Sequence, residues 1–304
     1  MSSSVTEHRK PPYKLLLVTA AALWGGSFVV LKNTFDAITP AWLLGIRFVL
    51  SGLLMGAIFH KAVFEHLDRR HIKAGVALGV TGGIAYLVQN LGLNDTTPGH
   101  NAFLTATYCV MVPFLNWIFC RVRPTMANAC AAFLALAGVG VLSLGGDDPF
   151  KLAWGDWMTL FGAFWFAVQI IVMAHVAQGS NIIVLTVIEF FVMGVVNLLY
   201  GIVCDPFPPL SLFGDPHFLF QLAYLVVLSS CLCTLIQNIG QANVEPSQAS
   251  LLMSLESVFG VFFSIVVYGE PVTPQLIFGF ALVFVAVLIS ELIGSKRATP
   301  AEAA

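Results

Sequence analysis

Ten apolar stretches, each long enough to cross a hydrocarbon core of about 30 Å as a helix of roughly 20 residues, divide the chain between polar or proline-containing breaks. They run approximately from Leu15 to Leu31, Trp42 to Phe59, Ile72 to Leu93, Asn101 to Phe119 and Ala127 to Leu144. The second five run from Trp154 to Val176, Ile182 to Ile202, Phe218 to Ala242, Ala249 to Tyr268 and Gln275 to Ile293. Each is continuously apolar where a lipid-facing strand would alternate, so helices are the spanning form that fits, with backbone polar groups satisfied inside each span. The composition agrees: 58% of residues are apolar and 10% charged, outside the range of ordinary soluble domains. The expectation is an all-α membrane protein with ten transmembrane helices. The first span follows basic residues but lacks a small-residue cleavage site, and it continues into "LKNTFDAITP", so it is read as retained.

With the N-terminus in the cytoplasm, eleven Lys and Arg residues fall on the inner side, among them Arg69, Arg70, Lys73, Arg121 and Arg123, against Lys32 and Lys151 outside. That asymmetry places both termini in the cytoplasm and the protein in the cytoplasmic (inner) membrane as a multi-pass chain. The outer loops carry Asp36, Asp95, Asp147, Asp148, Asp205 and Asp215. A near-neutral total with this sided distribution gives no support to nucleic-acid binding. The six cysteines supply neither a disulfide framework nor four close zinc ligands, so no metal and no cofactor is expected. A homodimer is compatible with this topology.

The chain also repeats itself. "QNLGLNDTTPGHNAFLTA" from Gln89 returns 148 positions later as "QNIGQANVEPSQASLLMS" from Gln237, with Gln89, Asn90, Gly92, Pro98 and Leu104 all matched. Arg47-Phe48 before Gly52 is echoed by Glu189-Phe190 before Gly194, and Trp24 by Trp165, at slightly shorter offsets. An insertion around "CDPFPPLSLFGDPH" would explain the difference. An interval containing five spans reverses the direction of entry, so the two copies form inverted five-helix repeats. Such repeats are a transporter signature, with the substrate site near the midplane between the halves. The expected organisation is a tail over 1–14, repeats over 15–146 and 152–293, and a tail over 294–304.

"LWGGSFVVLKNTF", "IRFVLSGLLM" and "SLESVFGVFFSIVVYGEPVTPQLIFGFALV" resemble the ten-helix EamA branch of the drug/metabolite transporter superfamily, nearly along the whole chain. The resemblance implies a cytoplasmic-membrane carrier that exports metabolites or amino acids through a central cavity. One departure is "FCRVRPT" in the first copy, where the family commonly has a Gly-Glu-like acid; Glu270 is accordingly read as a solvated loop acid.

Candidate pathway residues follow from polar spacing. Asn101, Thr105, Tyr108, Val112 and Asn116 make one helical stripe, read as cavity lining in preference to interhelical hydrogen-bond glue. The 148-residue offset sets Glu256 at the position of Tyr108, and Thr234 and Gln237 at those of Tyr86 and Gln89. The substrate-binding set is therefore Trp24, Tyr86, Asn101, Thr105, Tyr108, Trp165, Gln237 and Glu256. Arg47, Glu189 and Glu256 are the charges well inside spans, and each needs a partner, water or neutralisation. Arg47 and Glu189 differ by about 10 Å in depth, which argues against a simple bridge. Glu256 and Glu189 are the candidates for proton coupling. Gly25-Gly26-Ser27 lacks the context of a serine nucleophile and is read as helix packing. The rival of a different class is a non-transporting membrane sensor or assembly factor, which would bind without flux; a membrane enzyme ranks third.

Overall fold

The computed structural model describes residues 12–121, 123–143, 153–269 and 272–289. Most of the 1–14 tail, the 294–304 tail, the repeat boundaries 146, 152 and 293, and Asp147, Asp148, Lys151 and Glu270 lie outside the described residues. The first half contains α1 (Tyr13–Thr34), α2 (Pro40–Ile58), α3 (His60–His66), α4 (Arg69–Asn94), α5 (Pro98–Thr105), α6 (Tyr108–Cys120) and α7 (Met126–Ser143). The second contains α8 (Trp154–Val176), α9 (Ile182–Cys204), a 3-10 turn (Leu210–Gly214), α10 (Pro216–Tyr224), a π-helical stretch (Leu225–Leu232), α11 (Cys233–Asn243), α12 (Pro246–Met253), α13 (Glu256–Tyr268) and α14 (Pro274–Ile289). The described residues contain no strand. Eight helical stretches are long and apolar enough to cross a membrane, counting α5 with α6, α10 with α11, and α12 with α13; the apolar parts of α7 and α14 are shorter.

The two halves pack as an inverted pair. Helices α2 and α9 occupy corresponding places, and their contacts run antiparallel: Trp42 lies by Gly201, Gly45 by Leu198, Val49 by Gly194 and Gly52 by Phe191. A helix packed antiparallel on its own counterpart sits at a two-fold axis in the membrane plane. Helices α7 and α14 pair in the same self-matched way. Elsewhere the contacts are exchanged, α1 packing on α11 and α13 while α8 packs on α4 and α6.

The echoed Gly92 and Gly240 are the points of closest approach in this exchange. A Cβ on Gly240 would come within 2.6 Å of Leu17 Cδ2, and one on Gly92 would collide with Thr159 and the Gly155 carbonyl. Leu17 and Thr159 are themselves counterparts, so one small residue serves the same contact twice. The echoed prolines open α5 and α12, where the missing N–H costs nothing, behind Thr97 and Glu245, whose side chains accept from the backbone N–H of His100 and Gln248. At the C-terminal end of α4, Lys32 Nζ donates to the Leu93 and Asn94 carbonyls at 3.1 and 2.8 Å, a cation at a helix C-terminus.

Three stretches read from sequence as single spans are interrupted. The fourth breaks at Ala106-Thr107 and the ninth at Ser254-Leu255, again 148 residues apart. No glycine or proline marks either break. Instead hydroxyls occupy nearby carbonyls: Thr107 Oγ1 donates to the Leu104 carbonyl, Ser254 Oγ to Leu251 and Ser257 Oγ to Ser254, each at 2.7 Å. Such local bonds compete with the helical ladder. In the eighth span, Trp24 Nε1 donates to the Ser229 carbonyl at 3.0 Å inside the π-helical stretch, and insertion of a side chain into the ladder is a known origin of such distortions. Helix α3 was not expected from the hydropathy pattern; it is a short helix with no buried residue.

Candidate substrate cavity

A narrow cleft with a free volume of about 30 Å³ lies between the halves. Its walls are built from counterpart positions. Arg47 faces it from α2 and Glu189 from α9; Tyr86 and Gln89 come from α4, Thr234 and Gln237 from α11; Tyr108 opens α6 and Glu256 opens α13. Trp24 and Ser27 of α1 are matched by Phe166 and Gln169 of α8. The helix breaks thus set Tyr108 and Glu256 at two helix starts in the cavity wall.

Of the residues expected from sequence, Trp24, Tyr86, Tyr108, Gln237, Glu256 and Glu189 line this cleft. Asn101 and Thr105 do not. Asn101 Nδ2 donates to the Gln89 carbonyl at 3.1 Å and to Thr159 Oγ1 at 2.7 Å, while Thr105 Oγ1 accepts from Gln89 Nε2 at 2.9 Å. Both serve as hydrogen-bond glue behind the lining residue Gln89. Trp165 also points elsewhere, packing edge-on against Phe161 and Phe164; its neighbour Phe166 takes the cavity position. Helices α1 and α8 correspond at an offset of 142, as Arg47 and Glu189 do, and the sequence match of Trp24 to Trp165 was one residue short. One residue turns a helix by about 100°, enough to change the face. Phe166 and Gln169 were missed for that reason. The offset given by Arg47 and Glu189 was the signal that could have found them.

The buried charges are held differently. Arg47 is 1% exposed and donates from Nε to Ser230 Oγ at 2.6 Å and from Nη2 to Ser229 Oγ at 3.0 Å, while Nη1 has no hydrogen-bond partner. Its guanidinium lies 6.0 Å from the Tyr86 ring centre. Among the described residues no carboxylate pairs with it. The α2–α9 register sets Arg47 level with Val196, seven residues and hence about 10 Å along the axis from Glu189. Glu189 is fully buried, with Oε1 accepting from Gln169 Nε2 and Oε2 from Asn238 Nδ2, both at 2.7 Å. Glu256 is 5% exposed and its Oε1 has no partner; the Tyr108 and Thr234 hydroxyls are likewise unpartnered. Asn90 Nδ2 turns back to the Tyr86 carbonyl, so of the echoed Gln-Asn pairs only the glutamines reach the cleft. Ser27 Oγ is taken up by the Leu23 carbonyl and Gly25 sits against Phe259 and Gly260, the packing role read for that triplet. Among the described residues no group of His, Cys, Asp and Glu could hold a metal ion.

Two inverted copies of a helical unit enclosing a polar cleft where they meet define a membrane transporter. The model of the EamA-like transporter family matches the chain twice, over residues 12–144 and 153–292, and the chain belongs to that family. It is 27% identical over 282 residues to an uncharacterized transporter of Archaeoglobus fulgidus, covering 91% of this chain and 84% of that protein. It is 23% identical over 287 residues to an S-adenosylmethionine/S-adenosylhomocysteine transporter of Chlamydia muridarum, covering 88% of each. A solved crystal structure shares the fold with a TM-score of 0.74 at 15% identity, over 93% of this chain and 98% of that one.

Proposed function

We propose that this transporter is a secondary carrier that exports small zwitterionic metabolites related to amino acids across the cytoplasmic membrane by alternating access. The observation that carries the reading is the presence, in one buried cleft, of a guanidinium and a carboxylate that each retain an unpartnered polar atom. An unpaired buried charge costs several kcal/mol, and a substrate bearing the opposite charges would offset that cost on both sides. In this reading Arg47 receives the substrate carboxylate, Glu256 and the Tyr108 and Thr234 hydroxyls receive its cationic group, and Trp24, Tyr86 and Phe166 supply aromatic walls. Gln89 and Gln237 border the cleft at matching places in the two halves, and Asn101 and Thr105 hold Gln89 in position. The resemblance to a protein named for S-adenosylmethionine transport supports the same class, since that compound carries an amino-acid group.

Both termini face the cytoplasm in this reading, and ten crossings are reached by counting α7 and α14. Glu189 and Glu256 are the groups available for proton coupling. The test is counterflow in proteoliposomes containing the purified protein: internal S-adenosylmethionine or an amino acid should accelerate uptake of its labelled form, and the acceleration should fall at least about tenfold on Glu256→Gln. Specific binding of these compounds with no flux would mark a sensor and overturn the carrier reading. Recovery of chemically altered solute would mark an enzyme.

A further inference from the structure

Arg47 and Glu256, the groups with unpartnered atoms in the cleft, make no ion pair and no direct electrostatic interaction with each other, and a run of aromatic rings lines the cleft between them. The Arg47 guanidinium stands 6.0 Å from the Tyr86 ring, which meets Phe166 edge-on at 5.0 Å, and Phe166 is followed by Tyr108 at 6.4 Å. The Tyr108 hydroxyl lies within electrostatic reach of Glu256, with no hydrogen bond of ordinary geometry between them. Glu189 is the symmetry counterpart of Arg47, but both its oxygens are already occupied by the Gln169 and Asn238 amides. The available anion is therefore Glu256, at the far end of the wall.

Resting on the zwitterion reading above, we propose that the cleft selects extended zwitterions, whose carboxylate and cationic group are separated by several bonds, laid along Tyr86, Phe166 and Tyr108. A simple α-amino acid, with its two charges on one carbon, can satisfy Arg47 or Glu256 but cannot reach both. An extended molecule pairs both charges and covers the rings with its chain. The two halves have opposite charges at matching positions, Arg47 and Glu189, so the cleft is polar along the membrane normal and receives the molecule in one orientation.

The test needs no knowledge of the native substrate. Thermal stabilisation of the purified protein is titrated with glycine, 4-aminobutanoate, 6-aminohexanoate and 8-aminooctanoate, with hexanoate and hexylamine as single-charge controls. Affinity should rise from glycine to one of the longer members by about tenfold or more, and each single-charge control should bind about tenfold more weakly than 6-aminohexanoate, as loss of one charge-assisted contact requires. Glu256→Gln should bring 6-aminohexanoate down to the level of hexanoate. Arg47→Gln risks misfolding because it strands Ser229 and Ser230, so Arg47→Lys, which keeps the charge, should retain the chain-length preference. Glycine binding as tightly as the longer members, or hexanoate matching 6-aminohexanoate in the wild type, would overturn the inference while leaving the carrier of zwitterions intact. If no zwitterion of any length binds or exchanges in proteoliposomes, the zwitterion reading itself falls, and this inference with it.

Discussion

Glu256 and Asn101 are both buried polar residues, yet their surroundings give opposite expectations for their removal. Glu256 has a free Oε1 facing the cleft. Replacing it with glutamine keeps its shape and removes a costly charge, so the melting temperature should hold or rise while counterflow falls at least about tenfold. If Glu256 also carries a proton, the remaining flux loses its pH dependence. Wild-type flux with an unchanged pH profile in Glu256→Gln would remove this residue from the site. Tyr108→Phe keeps the ring and deletes one hydroxyl, so apparent KM should rise about fivefold to tenfold with protein yield unchanged. Asn101, by contrast, spends both bonds of its amide nitrogen on Gln89 and Thr159. Asn101→Ala should cost about 1–2 kcal/mol of stability, seen as a lower melting temperature, with the KM of the folded fraction within about twofold of wild type. A large KM change without loss of stability would return Asn101 to the cleft.

At the scale of helices, the decisive residues are those that let counterparts approach. Gly92 and Gly240 make the same contact in the two halves, so Gly240→Leu and Gly92→Leu should each destabilise by about 1–3 kcal/mol or more through overpacking. An unchanged unfolding midpoint for both variants in detergent would disprove close approach at this point. These glycines were legible because they fell inside the repeated passage, and the apolar spans were legible because lipid leaves a chain few other arrangements. The breaks at Ala106-Thr107 and Ser254-Leu255 were not, because serine and threonine are ordinary in membrane helices and their hydroxyls disrupt the ladder only where local bonds win. The cavity role of Phe166 was hidden by an offset wrong by one residue, which the better-matched Arg47 and Glu189 would have corrected. Asn101 and Thr105 lay on the buried face as their spacing required, but spacing alone does not distinguish a face that meets a cleft from one that meets another helix. The π-helical stretch depends on Trp24 reaching Ser229, a contact across 205 positions that no local pattern announces.

For the whole molecule, inversion fixes a relation between surfaces that can be measured without any substrate. Antiparallel packing of α2 on α9 means that each position and its counterpart point to opposite sides of the membrane. Asp95 and Asn243 are such a pair, both exposed and each at the end of its helix, α4 and α11. In the proposed orientation the basic residues around Arg70 face the cytoplasm. In a background with the exposed Cys120, Cys130 and Cys204 replaced by serine, single cysteines at Asp95 and Asp215 should react with an impermeant maleimide added to intact cells. Those at Asn243 and Arg70 should react only after permeabilisation. Labelling of Asn243 but not Asp95 in intact cells would reverse the orientation while preserving the inversion. Equal labelling of Asp95 and Asn243 from one side would break the inversion itself, and with it the argument that the cleft is shared by two opposed halves.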